Sequence, residues 1–178
     1  MSMLLTLRDV DQLLDNTATL DSSTPAPRLR GGRDDLVHVA VLLSYARHVL
    51  SVDIGALEAI AAASTGDLQE LVDNMPRVLE AASIGGGWSL SPDAPATTTS
   101  ARLAVEGAAD GLMPAHAEVA RLDPRSPDAV RETLREIEVQ VSLVSERREL
   151  VEKRVREVQA LLVEQYKRGQ ADPDDWVR

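Results

Sequence analysis

Three histidines, His38, His48 and His116, are the first side chains to test for metal or acid–base chemistry. A helical zinc site needs two histidines one turn apart, as in an HExxH step. His38 and His48 are ten residues apart, and no such step occurs. They read as surface or boundary histidines, with no metal ligand among them. Cysteine is absent, which removes thiolate sites and disulfides. The chain has no GxxxxGK[ST], GxGxxG or GxSxG motif. Gly85-Gly86-Gly87 does not sit between a strand and a helix, so it reads as a loop rather than a phosphate cradle. The many carboxylates lie on amphipathic stretches, where a solvated face accounts for them. No catalytic residue is assigned, no cofactor is implied, and the chain is not expected to be an enzyme.

Two Ser-x-x-Arg steps stand out, Ser44 with Arg47 and Ser145 with Arg148. Both fall on segments with a strong seven-residue apolar repeat. Arg148 interrupts a seam row that is otherwise apolar. A cation there must snorkel to water, pair with a carboxylate or meet an anionic ligand. Pairing with an Asp or Glu of the neighbouring helix is the expected outcome.

The elements that carry these steps follow from periodicity. Residues 33–64 place Leu36, Leu43, Leu50 and Leu57 seven apart, with Val39, Ala46 and Ile60 on the adjoining row and Val37, Leu42 and Val49 broadening the stripe. Residues 127–168 form the clearest helix. Ser126-Pro127-Asp128 supplies an N-cap, a first-turn proline and a first-turn carboxylate, and Gly169 follows as a stop. One seam row is Leu134, Val141, Arg148, Val155 and Leu162, and the other is Ile137, Val144, Val151, Val158 and Gln165. A short helix is expected over 3–15, further helical stretches over 67–83 and 99–112, and flexible linkers over 16–32 and 84–99. The 178 residues are 44% hydrophobic with only 2% aromatics and no Phe, so Leu, Val, Ile and Ala must build the core. The expected architecture over 1–178 is one all-α domain built on a coiled-coil helix pair, with shorter flanking helices.

Charge narrows the partners. The net charge is −10, whereas phosphate backbones and anionic membranes require clustered Lys and Arg. Direct nucleic-acid or membrane binding is therefore not expected. Residues 127–168 carry nine acids and nine bases, so the whole acidic surplus lies elsewhere and can meet a basic protein. The opening MSMLLTLRDVDQLL has too short an apolar run for a signal peptide, and no uncharged run of about 18 apolar residues is present. A cytoplasmic location is expected.

At LSYARHVLSVDI and at SERRELVEKRVREVQALLVEQYKRGQADPDDWV the sequence resembles the RsiG-type anti-sigma family of actinobacteria. The resemblance implies a helical coiled coil that sequesters a sigma factor, with cyclic di-GMP arming the interaction. In that family two helices each carry E-x3-S-x2-R-x3-Q-x3-D. Ser44, Arg47, Ser145 and Arg148 match its Ser and Arg, and these four are the candidate ligand-binding residues. Ala40, Ser51 and Gly55 stand where the first copy has Glu, Gln and Asp, and Val141, Glu152 and Arg156 stand there in the second. Guanine edges are read by carboxylates and amides, and those positions are the ones substituted. Such a degenerate motif is expected not to bind cyclic di-GMP. The resemblance makes the partner a sigma factor or another basic regulatory protein. A structural coiled coil that forms homo-oligomers without a ligand is the competing expectation.

Overall fold

The computed structural model describes residues 4–64, 107–123 and 125–169. The expected helices over 67–83, the linker 84–99 with Trp88, the start of the 99–112 stretch and Trp176 lie outside the described residues. Those described form an all-α fold with no strands among them. Its helices are α1 (Leu7–Ala18), α2 (Ala26–Ser64), α3 (Pro114–Val119) and α4 (Pro127–Lys167), with a 3-10 turn at Asp110–Leu112.

The two long helices are the frame. At 1.5 Å per residue, α2 and α4 are each roughly 60 Å long. They pack against each other antiparallel: Arg30 near the start of α2 meets Tyr166 near the end of α4, and Arg33 meets Gln159. Leu36, Leu43, Leu50 and Leu57 are fully buried, as are Ile137, Val144, Val151 and Val158 opposite them. Val37, expected to broaden the stripe, is instead 44% exposed, because it lies on the outer flank of α2.

Helix ends are set by local chemistry. The Ser126 hydroxyl accepts from the Ala129 N–H, and Gly169, at φ 66°, takes the left-handed conformation that ends α4. A capping box opens α1: the Asp9 N–H donates to Thr6 Oγ1, while the Thr6 N–H donates to Asp9 Oδ2. That box moves the helix to Leu7–Ala18 from the expected 3–15.

The linker expected over 16–32 is corrected in the same way, because α1 runs to Ala18 and α2 already starts at Ala26. Two facts explain the early start. Leu29 is fully buried seven residues before Leu36, so it extends the same leucine row. Pro27 sits in the first turn, where no helical N–H is lost. The connection that remains, 19–25, is ordered by the Asp21 carboxylate, which accepts from the backbone of Ser23 and Thr24. Gly32 packs closely on the connection, since a Cβ there would come 2.9 Å from Leu20 Cδ1 and that side chain would have to shift.

Gly31 has open space around it. Gly31→Ala should therefore stabilise the protein by about 0.5–1 kcal/mol, the usual helix-interior difference. A lower urea midpoint for Gly31→Ala would mean that 26–32 is not a working helical turn.

α1 runs parallel to α4 and covers one side of the helix pair, with Val10 and Thr17 buried. By length and composition Ala26–Ala62 could cross a membrane, a test that the core helix of a soluble protein also passes.

Candidate functional site

The antiparallel pairing brings both Ser-x-x-Arg helices together within one chain. On the side of the pair away from α1 lies a shallow cleft of about 320 Å³, lined by Val37, Ala40, Val41 and Ser44 of α2 and by Glu152, Val155 and Arg156 of α4. Ala40 precedes and Ser44 opens the first Ser-x-x-Arg step, and Glu152 and Arg156 follow the second, so the two segments form opposite walls of one apolar groove.

The four candidate residues are not equivalent there. Ser44 lines the cleft, but its hydroxyl donates to the Ala40 carbonyl of its own helix at 2.8 Å. Arg47 is exposed, and Ser145 is half-buried beyond the lining residues. Arg148 is half-buried and pairs with Glu152 at 2.7 Å. That corrects the expected partner on the neighbouring helix. From Leu36 to Val52, α2 has no Asp or Glu to offer, so Arg148 takes the carboxylate one turn along α4. Its Nε remains buried without an acceptor.

Chemically, the cleft offers an apolar floor, one carboxylate already held by Arg148, and the exposed Arg156 at the rim. It has no free carboxylate or amide to read a guanine edge. Titration calorimetry with cyclic di-GMP should give no heat of binding at micromolar concentrations. A micromolar or tighter constant would return Arg47, Arg148 and Arg156 to the list of ligand contacts.

A second set of polar residues organises the opposite side of α4. Gln140, Arg147 and Arg154 recur every seven residues beside the apolar seam. The Gln140 amide donates to the Leu112 carbonyl at 3.1 Å and accepts from the Ala115 N–H at 3.0 Å, fixing the turn before α3. Arg147 pairs with Asp11 of α1 at 3.0 Å. Arg154 donates to the Thr17 and Leu20 carbonyls at the end of α1. Further along, Gln165 donates to the Thr24 carbonyl at 2.6 Å. A seam defined by apolar residues alone passes over this row, although its spacing of seven is visible in the sequence.

His116 also proves to be placed by chemistry. Its Nδ1 lies 2.6 Å from Oδ2 of Asp53, the buried carboxylate of α2. Burial pushes the Asp53 carboxyl above its ordinary value, with the His116 hydrogen bond and charge opposing that rise. His38 is exposed and His48 half-buried on α2.

No protein-family model, curated protein or solved structure matches this chain.

Proposed function

We propose that this chain is a regulatory binding protein, anti-sigma-like in action, which sequesters a sigma factor or similar transcription regulator on its helix pair. One observation carries this. α2 is apolar around most of its circumference, yet among the described residues only one side of it is covered. From Leu36 to Ala62 it has just Arg47, Asp53 and Glu58 as charged residues. A helix apolar all round ordinarily lies buried on all sides. Here Val37, Ala40, Val41 and Val155 instead form an open groove that an apolar side chain of a partner could fill. α2 carries four Arg against four carboxylates, and residues 127–168 carry nine bases against nine acids, so the acidic surplus lies outside these two segments. Acidic residues flanking such a groove would steer a basic partner, while apolar contacts hold it. Asp67, Glu70 and Asp73 are the acids proposed for this, and they lie outside the described residues.

A structural, self-associating coiled coil is the second reading. Val139, Leu143 and Leu150 favour it, since they leave apolar surface on the outer side of α4. Affinity capture from native lysate separates the two when wild type is compared with Val37→Glu, a change on an exposed side chain that leaves the core intact. A sigma factor or basic regulator held by wild type and released by Val37→Glu supports regulation. Homo-oligomers by light scattering, with no such partner captured, would replace it with the structural reading.

A further inference from the structure

We propose that the Asp53–His116 contact is a proton-operated clasp, which holds residues 107–119 on the helix pair when His116 is charged and loosens them when it is neutral. It stands independently of any sigma-factor partner.

The segment is attached in a way that makes one contact decisive. α3 has six residues, no side-chain N-cap bond and no buried residue of its own. Just before it, Ala109, Leu112 and Met113 are buried in the common core. Two polar tethers then fix α3, one on each side. Gln140 of α4 binds the Leu112 carbonyl and the Ala115 N–H, and this neutral tether does not respond to pH. His116 of α3 reaches Asp53 of α2 at 2.6 Å. The Asp53 residue is 8% exposed, whereas the His116 side chain is 47% exposed and open to protons from solvent.

Among the described residues, charge in this corner is sparse, so little else there can replace the imidazolium. On α2, Glu58 is exposed five residues further along. On the turn, Asp110 is exposed, and on α3 Glu118 is exposed and paired with Arg121 just beyond it. α4 presents the neutral Gln140 amide, with Glu136 exposed one turn away. Among the described residues, His116 is therefore the cation that meets the Asp53 carboxylate. It also sits in the last turn of α3, where a positive charge is favoured by the helix dipole.

Losing that proton leaves a buried carboxylate facing a neutral ring, and an uncompensated buried charge is costly. Imidazoles change charge between about pH 5 and pH 8. A carboxyl raised on folding contributes stability that is fully present at and below its ordinary 3.8 and is lost as pH climbs through the higher folded value. That loss is the burial cost of ionising Asp53; the charge pair itself needs the ionised carboxylate, so it is the loss of the His116 proton that loosens the clasp. Release would carry the N-terminal segment with it, because the Leu5 N–H donates to the Ala108 carbonyl and Gly111 packs on the Leu5 backbone.

Hydrogen exchange of the full chain, corrected for intrinsic pH dependence, reads this directly. Protection over 112–119 should fall about tenfold between about pH 5.5 and about pH 8, the difference between a charge-assisted and a neutral hydrogen bond. Protection over 137–158 should not change. His116→Gln keeps a hydrogen-bonding side chain that cannot titrate, and Asp53→Asn removes the buried charge. Both should abolish the pH dependence of 112–119. Should Asp53→Asn fail to fold, His116→Gln alone decides, since its side chain is half in water. A wild-type protection that is flat with pH, or a fall that persists in His116→Gln, would overturn the clasp.

Discussion

Leu43→Asp is expected to lower stability by about 4 kcal/mol or more, enough to unfold much of the chain at room temperature. Leu43 is fully buried at the middle of the leucine row and faces the valine row of α4. Removing a buried leucine costs about 2–5 kcal/mol through lost burial and the cavity left behind. An aspartate adds the cost of a polar group without a partner, which the carboxyl can reduce only by staying protonated. Typical domains have about 5–15 kcal/mol in total, so the loss is a large share. Val155→Asp is the useful contrast. Val155 is half-buried at the cleft, where its replacement can reach water beside Arg156, and it should cost only about 1 kcal/mol. Urea unfolding followed by circular dichroism at 222 nm measures both. A Leu43→Asp urea midpoint equal to that of wild type would place that residue on the wrong face of α2.

The contrast between these two positions marks how far periodicity reaches. The heptad rows name both helices of the pair, because a helix that buries one stripe must repeat it every seven residues. Leu36 to Leu57 and Ile137 to Val158 are buried accordingly. Periodicity does not say which flank of the stripe another element covers. Val37 and Val155 are as apolar as their buried neighbours, yet they border an open groove. The start of α2 shows a second kind of miss. Pro25, Pro27, Gly31 and Gly32 look like a linker when residues are weighed one at a time. Leu29 continues the leucine row across them, and Gly32 serves close packing against Leu20 rather than a turn. The polar heptad of Gln140, Arg147 and Arg154 was legible only as spacing. Besides Glu146 and Glu157 on α4 itself, its partners are the Asp11 carboxylate, the Thr17, Leu20 and Leu112 carbonyls and the Ala115 N–H, and a carbonyl carries no side-chain signature. Asp53 and His116 are 63 residues apart, and nothing local announces that they meet.

Arg154→Met should cost about 2 kcal/mol and loosen α1 selectively. Arg154 keeps only 16% of its side chain exposed, and its guanidinium closes the end of α1 by donating to the Thr17 and Leu20 carbonyls. The last carbonyls of a helix have no partners within it, and a cation there also answers the negative end of the dipole. Methionine preserves the apolar stem that packs along α4 but supplies no donor. Part-buried carbonyls then lose a charge-assisted bond, worth about 1.5–3 kcal/mol. Arg154→Lys should recover only part of this, because one ammonium cannot span two carbonyls and Glu157 as a fork does. Acid should act at the same place. The hydrogen bond from Arg154 holds the Glu157 carboxyl below its ordinary 4.5, ahead of smaller contributions from neighbouring charges. A carboxyl lowered on folding contributes stability that is present above 4.5 and lost as pH falls through its folded value. Glu157 is too solvated for that contribution to be large. The decisive measurement is local hydrogen exchange. In Arg154→Met, amides of Leu7–Ala18 should lose protection about tenfold or more while those of Ile137–Val158 hold theirs, since α1 rests on α4 without building it. Equal losses in both regions would make Arg154 part of the frame itself, and α1 an inseparable third helix of the core.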